Sequence, residues 1–324
     1  MNEAIKTVIK GAISIALMAF LLYKVPISEL KQAFSLLNVP LFAGAACLFF
    51  LHQFLTAYCW QITLSAQNNA ISIWRVVKVH FVGNFFGVFM PTSIGMDIVR
   101  TYSLSRQIKN GVDAASSMFV SRVVGYLVFF GIALVVAVPV VQKTGNVLFL
   151  WVVLAASTSF VVGCWVLVQP RFLKLVNLVF QRIRLGKIGD KLLHVQQGII
   201  AFRNKKAALT KLIIWSALYQ LLGIYIHYLV GISLGINVEF KYYFIFVPVI
   251  MAVTILPLSL GGIGTRELAF VALFSPLGVL KAQSLTLSLL LFALGVAVAL
   301  FGGILYWTSE RGEKKQPEKI ALKN

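Results

Sequence analysis

Acidic residues are scarce in this sequence, and charge of either sign is low for the length of the chain. Asp and Glu account for only 10 of the 324 residues, and all charged residues together account for 12%. A soluble domain usually carries roughly 25% charged residues. Hydrophobic residues make up 59% of the chain, and the mean hydropathy is +0.89. The composition excludes an ordinary soluble protein and predicts an all-α polytopic membrane protein.

The residues that commonly bind metals or form disulfides are also scarce. Cys47, Cys59 and Cys164 each lie in an apolar run, without a CxxC pair or a Cys/His cluster. The four histidines are scattered and have no metal-ligand spacing. The sequence contains no P-loop, no HExxH motif and no nucleophile elbow. We therefore expect no metal, no cofactor and no catalytic residue.

Long apolar runs make up most of the sequence. A membrane-spanning helix needs about 20 mainly apolar residues. Segment 27–37 is too short and too polar for this, and its pattern predicts an amphipathic helix at the membrane interface. The longer runs predict about six full transmembrane helices, near residues 5–24, 39–65, 115–141, 147–168, 211–236 and 282–307.

One motif occurs twice. The first copy extends from Pro91 to Arg100, and the second extends from Pro257 to Glu267. Both copies contain a proline, a serine, a glycine and an arginine at a constant offset of 166 positions (257 minus 91). In lipid, proline and glycine leave backbone groups that need other partners, and an intramembrane charge indicates a functional site. Paired interrupted segments in the two halves of a membrane chain indicate a transport site.

The distribution of positive charge predicts how the two motif segments, 72–106 and 242–275, enter the membrane. The loop 169–211 carries ten Lys or Arg residues and one acid, and basic loops face the cytoplasm. This loop, the N-terminus and the basic tail share the cytoplasmic side when both motif segments are re-entrant helical hairpins. The two hairpins then enter from opposite faces, which is the pattern of an inverted repeat.

These patterns also predict the domain organisation. We expect an integral membrane domain over residues 1–308, with a cytoplasmic amphipathic linker at 169–211 and a basic cytoplasmic tail at 309–324. The net charge of +19 lies between apolar segments, which indicates contact with anionic lipid headgroups and not with nucleic acid. The predicted location is the cell (inner) membrane, with both termini in the cytoplasm.

The motif residues suit a phospholipid headgroup. The prolines are expected to end one half-helix, and the serines are expected to cap the next. Glycines allow close approach of a ligand, and a helix N-terminus attracts anions. The arginines, about one and a half turns further on, suit phosphate bidentately. The alternative is that the glycines and serines serve helix packing alone. The candidate binding residues are Ser93, Gly95, Asp97, Arg100, Ser259, Gly261, Gly262, Gly264, Arg266 and Glu267.

Asp97 and Glu267 are the two acids that the apolar pattern places at membrane depth. Each is expected to pair with the arginine of its own motif, which offsets the cost of burying charge. The pairs are either purely structural, or the acids also couple protons or bind a cationic headgroup. Arg122, inside the following span, is a weaker candidate for the same cavity, because its side chain is equally able to extend to the cytoplasmic face.

The two motifs resemble those of a known family. The first fits P-x-x-x-G-x-D-x-x-R and the second fits P-x-x-x-G-G-x-G-x-R-E. Together they resemble the lysylphosphatidylglycerol synthase transmembrane (flippase-like) family. The first copy departs from the family at Met96, where a second glycine is common. The resemblance implies a lipid flippase, and since no soluble synthase domain precedes Asn324, it implies a stand-alone member that is not a synthase.

We therefore expect a lipid transporter that moves a phospholipid or glycolipid headgroup across the cytoplasmic membrane, and not an enzyme. The expected partners are membrane lipids with anionic or zwitterionic headgroups. The sequence is also compatible with a homo-oligomer, and with a lipid synthase or a glycosyltransferase as a partner protein. Two other classes compete with transport. One is an intramembrane lipid-modifying enzyme with Asp97 or Glu267 as acid or base, and the other is a non-transporting membrane partner of a synthase.

Overall fold

Helices form the whole of the regular structure in this computed structural model, which describes residues 27–88, 95–144, 147–169, 186–255 and 259–314. These residues contain eleven α-helices, three short 3-10 turns and no strand. In chain order the helices are α1 (Ile27–Ser35), α2 (Val39–Ala66), α3 (Ile73–Val88), α4 (Gly95–Ile108), α5 (Gly111–Thr144), α6 (Leu148–Val168), α7 (Gly186–Ala201), α8 (Lys206–Ser233), α9 (Phe240–Ile255), α10 (Thr265–Phe274) and α11 (Lys281–Lys314).

Four helices are long and apolar enough to cross a membrane, namely Val39–Ala66, Gly111–Gln142, Lys206–Ser233 and Lys281–Thr308. They coincide with four of the predicted spans, and with the apolar composition they confirm a multi-pass membrane protein. Helix α6 contains a shorter apolar stretch, Leu150–Val166. The predicted span at 5–24 lies outside the described residues. The predicted amphipathic segment 27–37 forms α1, and part of the predicted linker forms α7.

Helix lengths repeat along the chain. Helices α2 and α8 have 28 residues each, α3 and α9 have 16 each, and α5 and α11 have 34 each. The motif helices α4 and α10 have 14 and 10 residues. Each half of the chain therefore contains a long helix, two short helices and a second long helix, in that order. The repetition that the motif indicated extends over both halves.

The two halves pack crosswise. Helix α3 of the first half packs mainly against α11 of the second half, and α9 of the second half packs mainly against α5 of the first. Helices α2 and α8 contact each other extensively. The motif helix α4 packs against α3 and α5, and α10 packs against α9 and α11. The largest apolar cluster contains residues from both halves, whereas a second cluster consists of first-half residues together with Val298 of α11.

The motif segments each consist of two short helices in contact. At 1.5 Å per residue, α3 and α4 are about 24 and 21 Å long, and α9 and α10 are about 24 and 15 Å long. The hydrocarbon core of a bilayer is about 30 Å thick, so none of these four helices has the length of an upright span. The predicted breaks at Pro91 and Pro257 lie outside the described residues.

Glycines allow helices of the two halves to touch at backbone distance. A methyl group at Gly302 of α11 would collide with the carbonyl oxygen of Phe81 on α3. A methyl group at Gly303 would lie only 2.8 Å from ring atoms of Phe85. Small residues at membrane helix interfaces permit this close approach. By contrast, Gly131 of α5 has open space around it.

We expect Gly302→Ala to lower the free energy of unfolding in detergent by about 2 kcal/mol, because the added methyl group forces α3 and α11 apart. Gly131→Ala is the matched control, since it makes the same change in the other 34-residue helix at a site with open space. There the alanine should stabilise slightly through its better helix propensity. Equal unfolding free energies for the two variants would contradict the backbone contact.

Candidate functional site

Asp97 binds two arginines from different helices. Its Oδ1 accepts hydrogen bonds from Arg100 Nη1 at 2.8 Å and from Arg122 Nη2 at 2.7 Å. Its Oδ2 accepts a hydrogen bond from Arg122 Nε at 2.9 Å. The carboxylate lies in the first turn of α4, where the helix dipole also favours a negative charge. The predicted ion pair with Arg100 is confirmed, and the second arginine ties α4 to α5.

Arg100 is enclosed by α3. Its Nε donates to the carbonyl oxygen of His80 at 3.3 Å, and its Nη2 donates to Asn84 Oδ1 at 2.6 Å. The side chain is only 2% exposed. Gly83 makes room for it, because a Cβ atom at this position would overlap Cγ of Arg100. The sequence of α3 thus accommodates one buried guanidinium, with glycine supplying space and neighbouring polar groups supplying acceptors.

Three glycines delay the start of the second motif helix. Gly261, Gly262 and Gly264 have φ angles of +57°, +81° and +86°, which side chains with a Cβ rarely adopt. Helix α10 therefore begins at Thr265, so that Arg266 is its second residue. The expectation that this arginine lies one and a half turns into its helix is wrong. The glycine turn is the reason, because it uses residues that the first motif places inside α4.

The acids, and not the arginines, occupy equivalent places in the two motif helices. Asp97 is the third residue of α4, and Glu267 is the third residue of α10. Arg100 is the sixth residue of its helix, while Arg266 directly precedes the acid. The constant offset that aligned the arginines in sequence therefore does not align them in space.

Glu267 is fully buried, and hydrogen bonds occupy both of its oxygens. Oε2 accepts the backbone N–H of Gly264 at 2.6 Å and caps α10. Oε1 accepts Arg266 Nε at 3.0 Å and the Ser288 hydroxyl at 3.1 Å, and it also pairs with Arg266 Nη2. The predicted ion pair is confirmed. We predicted an anionic ligand at the N-terminus of α10. In the structure, the Glu267 carboxylate accepts the Gly264 N–H there instead.

A cavity of about 730 Å³ lies between the two halves. Arg100 and Arg122 line it from the first half, and Arg266 lines it from the second. Arg266 also lies over the Phe292 ring, 4.9 Å from the ring centroid. Small-molecule sites usually measure about 300–1,000 Å³ and combine apolar walls with a few polar groups. The neutral polar side chains of this wall include Gln53, Thr56, Asn84, Tyr126, Tyr219 and Gln220.

The structure brings part of the predicted binding set to this cavity. Arg100, Arg266 and Gly261 line it, while Asp97 and Glu267 bind the arginines without lining it themselves. The Ser259 hydroxyl lies 2.9 Å from Thr265 Oγ1, so it contacts a side chain where a backbone N–H was expected. Ser93 lies outside the described residues. The remaining members, Gly95, Gly262 and Gly264, are buried beside the cavity wall but are not part of it.

Two contributing residues were missed in the sequence, and a third was ranked too low. Arg122 was identifiable in the sequence, because a cation inside an apolar span indicates a functional site. Asn84 was a weaker candidate, as an amide in the apolar run before the first motif. Nothing in the sequence distinguished Ser288, because a serine in a membrane helix commonly forms a hydrogen bond with its own backbone.

A family model matches nearly the whole chain. The model described as "Lysylphosphatidylglycerol synthase TM region" matches residues 7–303. The matched range includes both copies of the motif and every cavity-lining arginine. No curated protein and no solved structure matches the chain.

We expect Asp97→Asn to lower the free energy of unfolding in detergent by about 3 kcal/mol, because Arg100 then stays buried without a counter-charge. Asp113→Asn is the matched control. The Asp113 carboxylate accepts a hydrogen bond from Asn69 Nδ2 at 2.8 Å and forms no ion pair with the residues that the structure describes. Its loss should cost about 1 kcal/mol or less. If both variants unfold alike, the buried arginine does not depend on Asp97.

Proposed function

The chain belongs to the family of the lysylphosphatidylglycerol synthase TM region, and from that premise we propose that it moves a phospholipid or glycolipid headgroup across the cytoplasmic membrane. The observation that carries this proposal is the cavity between the two halves, which arginines from both halves line. In many transporters that work by alternating access, the transport site lies at the interface of two structural repeats.

The chemistry of the cavity supports a lipid headgroup as the cargo. Its arginines supply planar N–H donors that suit phosphate, and its apolar walls suit the glycerol and upper acyl regions. Exposed apolar side chains cover the outer faces of the long helices, among them Val135, Leu218 and Leu300. A lipid therefore has an apolar environment outside the protein and a cationic site within it. The motif helices α4 and α10 each contribute an arginine to that site.

The proposed arrangement in the membrane is an inverted repeat of about six full spans and two re-entrant hairpins. In it, α3 with α4 and α9 with α10 are the hairpins, and their lengths favour this because each helix is shorter than a span. The matching helix order of the two halves and their crosswise packing also support it. We place the chain in the inner membrane with both termini in the cytoplasm, as the basic loops favour.

We favour transport over an intramembrane lipid-modifying enzyme. Among the described residues, the cavity wall contains no Asp or Glu, and the two acids beside it, Asp97 and Glu267, form ion pairs with arginines. The sequence has no P-loop, so a gradient or the supply of lipid would drive the movement. A non-transporting role beside a synthase or glycosyltransferase is the remaining alternative, and the following experiment distinguishes it.

We expect the purified protein, reconstituted alone into lipid vesicles, to move a phosphatidylglycerol labelled on its acyl chain between leaflets. A membrane-impermeant reductant that bleaches the outer leaflet measures the rate. Gly295 of α11 lines the cavity with open space around it. Gly295→Phe should fill that space and slow translocation by at least about tenfold, a barrier increase of about 1.4 kcal/mol.

Gly131→Phe is the matched control for this block. It adds the same ring at a glycine of α5 that also has open space but lies outside the cavity wall. Its translocation rate should equal that of the unchanged protein. A folded, unchanged protein that does not accelerate translocation would overturn the transport proposal. Conversion of the lipid to a new product by the pure protein would favour the enzyme.

The orientation is testable with single cysteines in a background without Cys47, Cys59 and Cys164. A cysteine at Gln142, an exposed residue near the end of α5, should react with an impermeant thiol reagent from outside intact cells. A cysteine at Asp190 in α7 should react only after the membrane is opened, because the basic linker is cytoplasmic. Labelling at position 190 in intact cells would rule out the proposed arrangement.

A further inference from the structure

The two halves build the cavity wall from equivalent positions of their helices. In the 28-residue helices α2 and α8, the fourteenth, fifteenth and eighteenth residues all line the cavity. They are His52, Gln53 and Thr56 in α2, and Tyr219, Gln220 and Gly223 in α8. In the 16-residue helices α3 and α9, the eighth, twelfth and fifteenth residues line it in both. Equivalent residues of the two halves therefore face each other across the cavity.

The equivalent side chains of α3 and α9 differ in polarity. The eighth and twelfth residues are His80 and Asn84 in α3, but Val247 and Met251 in α9. Helix α9 contributes one polar lining residue, Thr254, whose hydroxyl donates to the backbone of its own helix at 2.7 Å. The wall is therefore polar along α3 and apolar along α9.

The 34-residue helices α5 and α11 show the same difference. Their twelfth residues are Arg122 and Phe292, and their sixteenth residues are Tyr126 and Val296. All four line the cavity. The first half thus supplies a cation and a phenol where the second half supplies a phenyl ring and an isopropyl group. The cavity is amphipathic across the two halves, with a polar wall on α3 and α5 and an apolar wall on α9 and α11.

The cavity is open at an apolar edge. Among the described lining residues, three are exposed, namely Val88, Gly261 and Phe292, and none of them has a polar side chain. Phe292 is 37% exposed, whereas His80 and Asn84 on the polar wall are 2% and 8% exposed. The polar wall is therefore the closed side of the cavity, and the ring of Phe292 lies at its opening.

The opening beside Phe292 faces hydrocarbon. Phe292 is the twelfth residue of the 28-residue apolar stretch Lys281–Thr308. At 1.5 Å per residue it lies about 17 Å along a helix about 42 Å long. The hydrocarbon core of a bilayer is about 30 Å thick, so a residue this near the middle of a span lies within it. A ligand that leaves the cavity past Phe292 enters lipid and not water.

Arg266 lies just inside this opening. Its guanidinium carbon is 4.9 Å from the centroid of the Phe292 ring, and its Nε donates to the Ser288 hydroxyl at 3.0 Å. Its side chain is 13% exposed, between Phe292 and the buried polar wall. From the opening inward, a ligand meets an apolar edge, then a cation, then polar groups. A phospholipid carries its acyl chains, its phosphate and its headgroup substituent in the same order.

The size of the cavity sets a limit on how much of a lipid it encloses. Its volume of about 730 Å³ lies within the range of about 300–1,000 Å³ that is usual for sites of drug-sized ligands. A lipid with two long acyl chains is larger than such a ligand. The cavity therefore suits the headgroup and the adjoining part of the lipid, and the remainder of the chains has to lie outside.

We propose that a single lipid binds with its acyl chains leaving the cavity past Phe292, its phosphate on Arg266 and the rest of its headgroup against the polar wall of α3 and α5. This binding pose rests on the proposed lipid transport but concerns binding alone. It keeps the chains in hydrocarbon, so that only the polar part of the lipid is transferred into the protein. Phe292 and Arg266 are the residues that position the lipid at the opening.

Protection of a cysteine at position 292 tests this pose without any need for transport. Phe292→Cys, in a background without Cys47, Cys59 and Cys164, is purified in detergent and titrated with phosphatidylglycerol until its rate of reaction with an apolar maleimide is constant. We expect the rate to fall about tenfold, as it does when ten of every eleven sites are occupied. The acyl chains of the bound lipid then cover the cysteine.

Leu300→Cys in the same background is the matched control. Leu300 lies about two turns further along α11, is 60% exposed and does not line the cavity. Its rate should not change with phosphatidylglycerol. An unchanged rate at position 292, or equal slowing at both positions, would overturn the pose. Equal protection of position 292 by glycerol phosphate, which has no acyl chain, would overturn it too.

The results separate this inference from the transport proposal. Protection at position 292 without translocation in vesicles would retain the pose and remove transport. Translocation of phosphatidylglycerol without protection would retain transport and remove the pose. Should Phe292→Cys fail to fold, Val296→Cys takes its place, because Val296 lines the cavity about one turn further along the same helix.

Discussion

A single carboxylate, that of Asp97, is the shared counter-charge of two guanidinium groups inside this membrane protein, and the arrangement of the first half depends on it. Burying a cation in a medium of low dielectric costs several kcal/mol unless a counter-charge and hydrogen bonds accompany it. Here the counter-charge comes from α4, one arginine comes from α4 and the other from α5, while α3 supplies the remaining acceptors. Three helices are thereby fixed relative to one another at the edge of the cavity.

In the second half, the arginine is paired with an acid in a different local structure. This acid caps its own helix and pairs with the adjacent arginine, so the pair lies within one turn of α10. The glycine turn before α10 permits this, because Gly261, Gly262 and Gly264 adopt positive φ angles that place the start of the helix at Thr265. The halves are therefore similar in helix order but unequal in charge. The first half presents two arginines for one acid, whereas the second presents one of each, and the cavity between them carries a net positive charge.

Much of the fold was predictable, because it depends on hydropathy and on length. Four spans followed from apolar runs, and the pairing of each acid with a nearby arginine followed from their short separation in sequence. The start of α10 was not predictable from the repeated motif, since three positive φ angles shift it relative to α4. The contact of Arg122 with Asp97 was also not predictable, because it joins residues on different helices. Long-range contacts of this kind leave no periodic signal in a single sequence.

The close contact of Gly302 with Phe81 has a consequence for the biogenesis of the protein. The two residues are 221 positions apart (302 minus 81), and they join helices from opposite halves. Ribosomes add roughly 5–20 residues per second, so α3 leaves the ribosome on the order of ten seconds or more before α11 does. During that interval the face of α3 that contacts α11 in the fold has no α11 to pack against. The contact between the two helices can therefore form only after α11 has been synthesised.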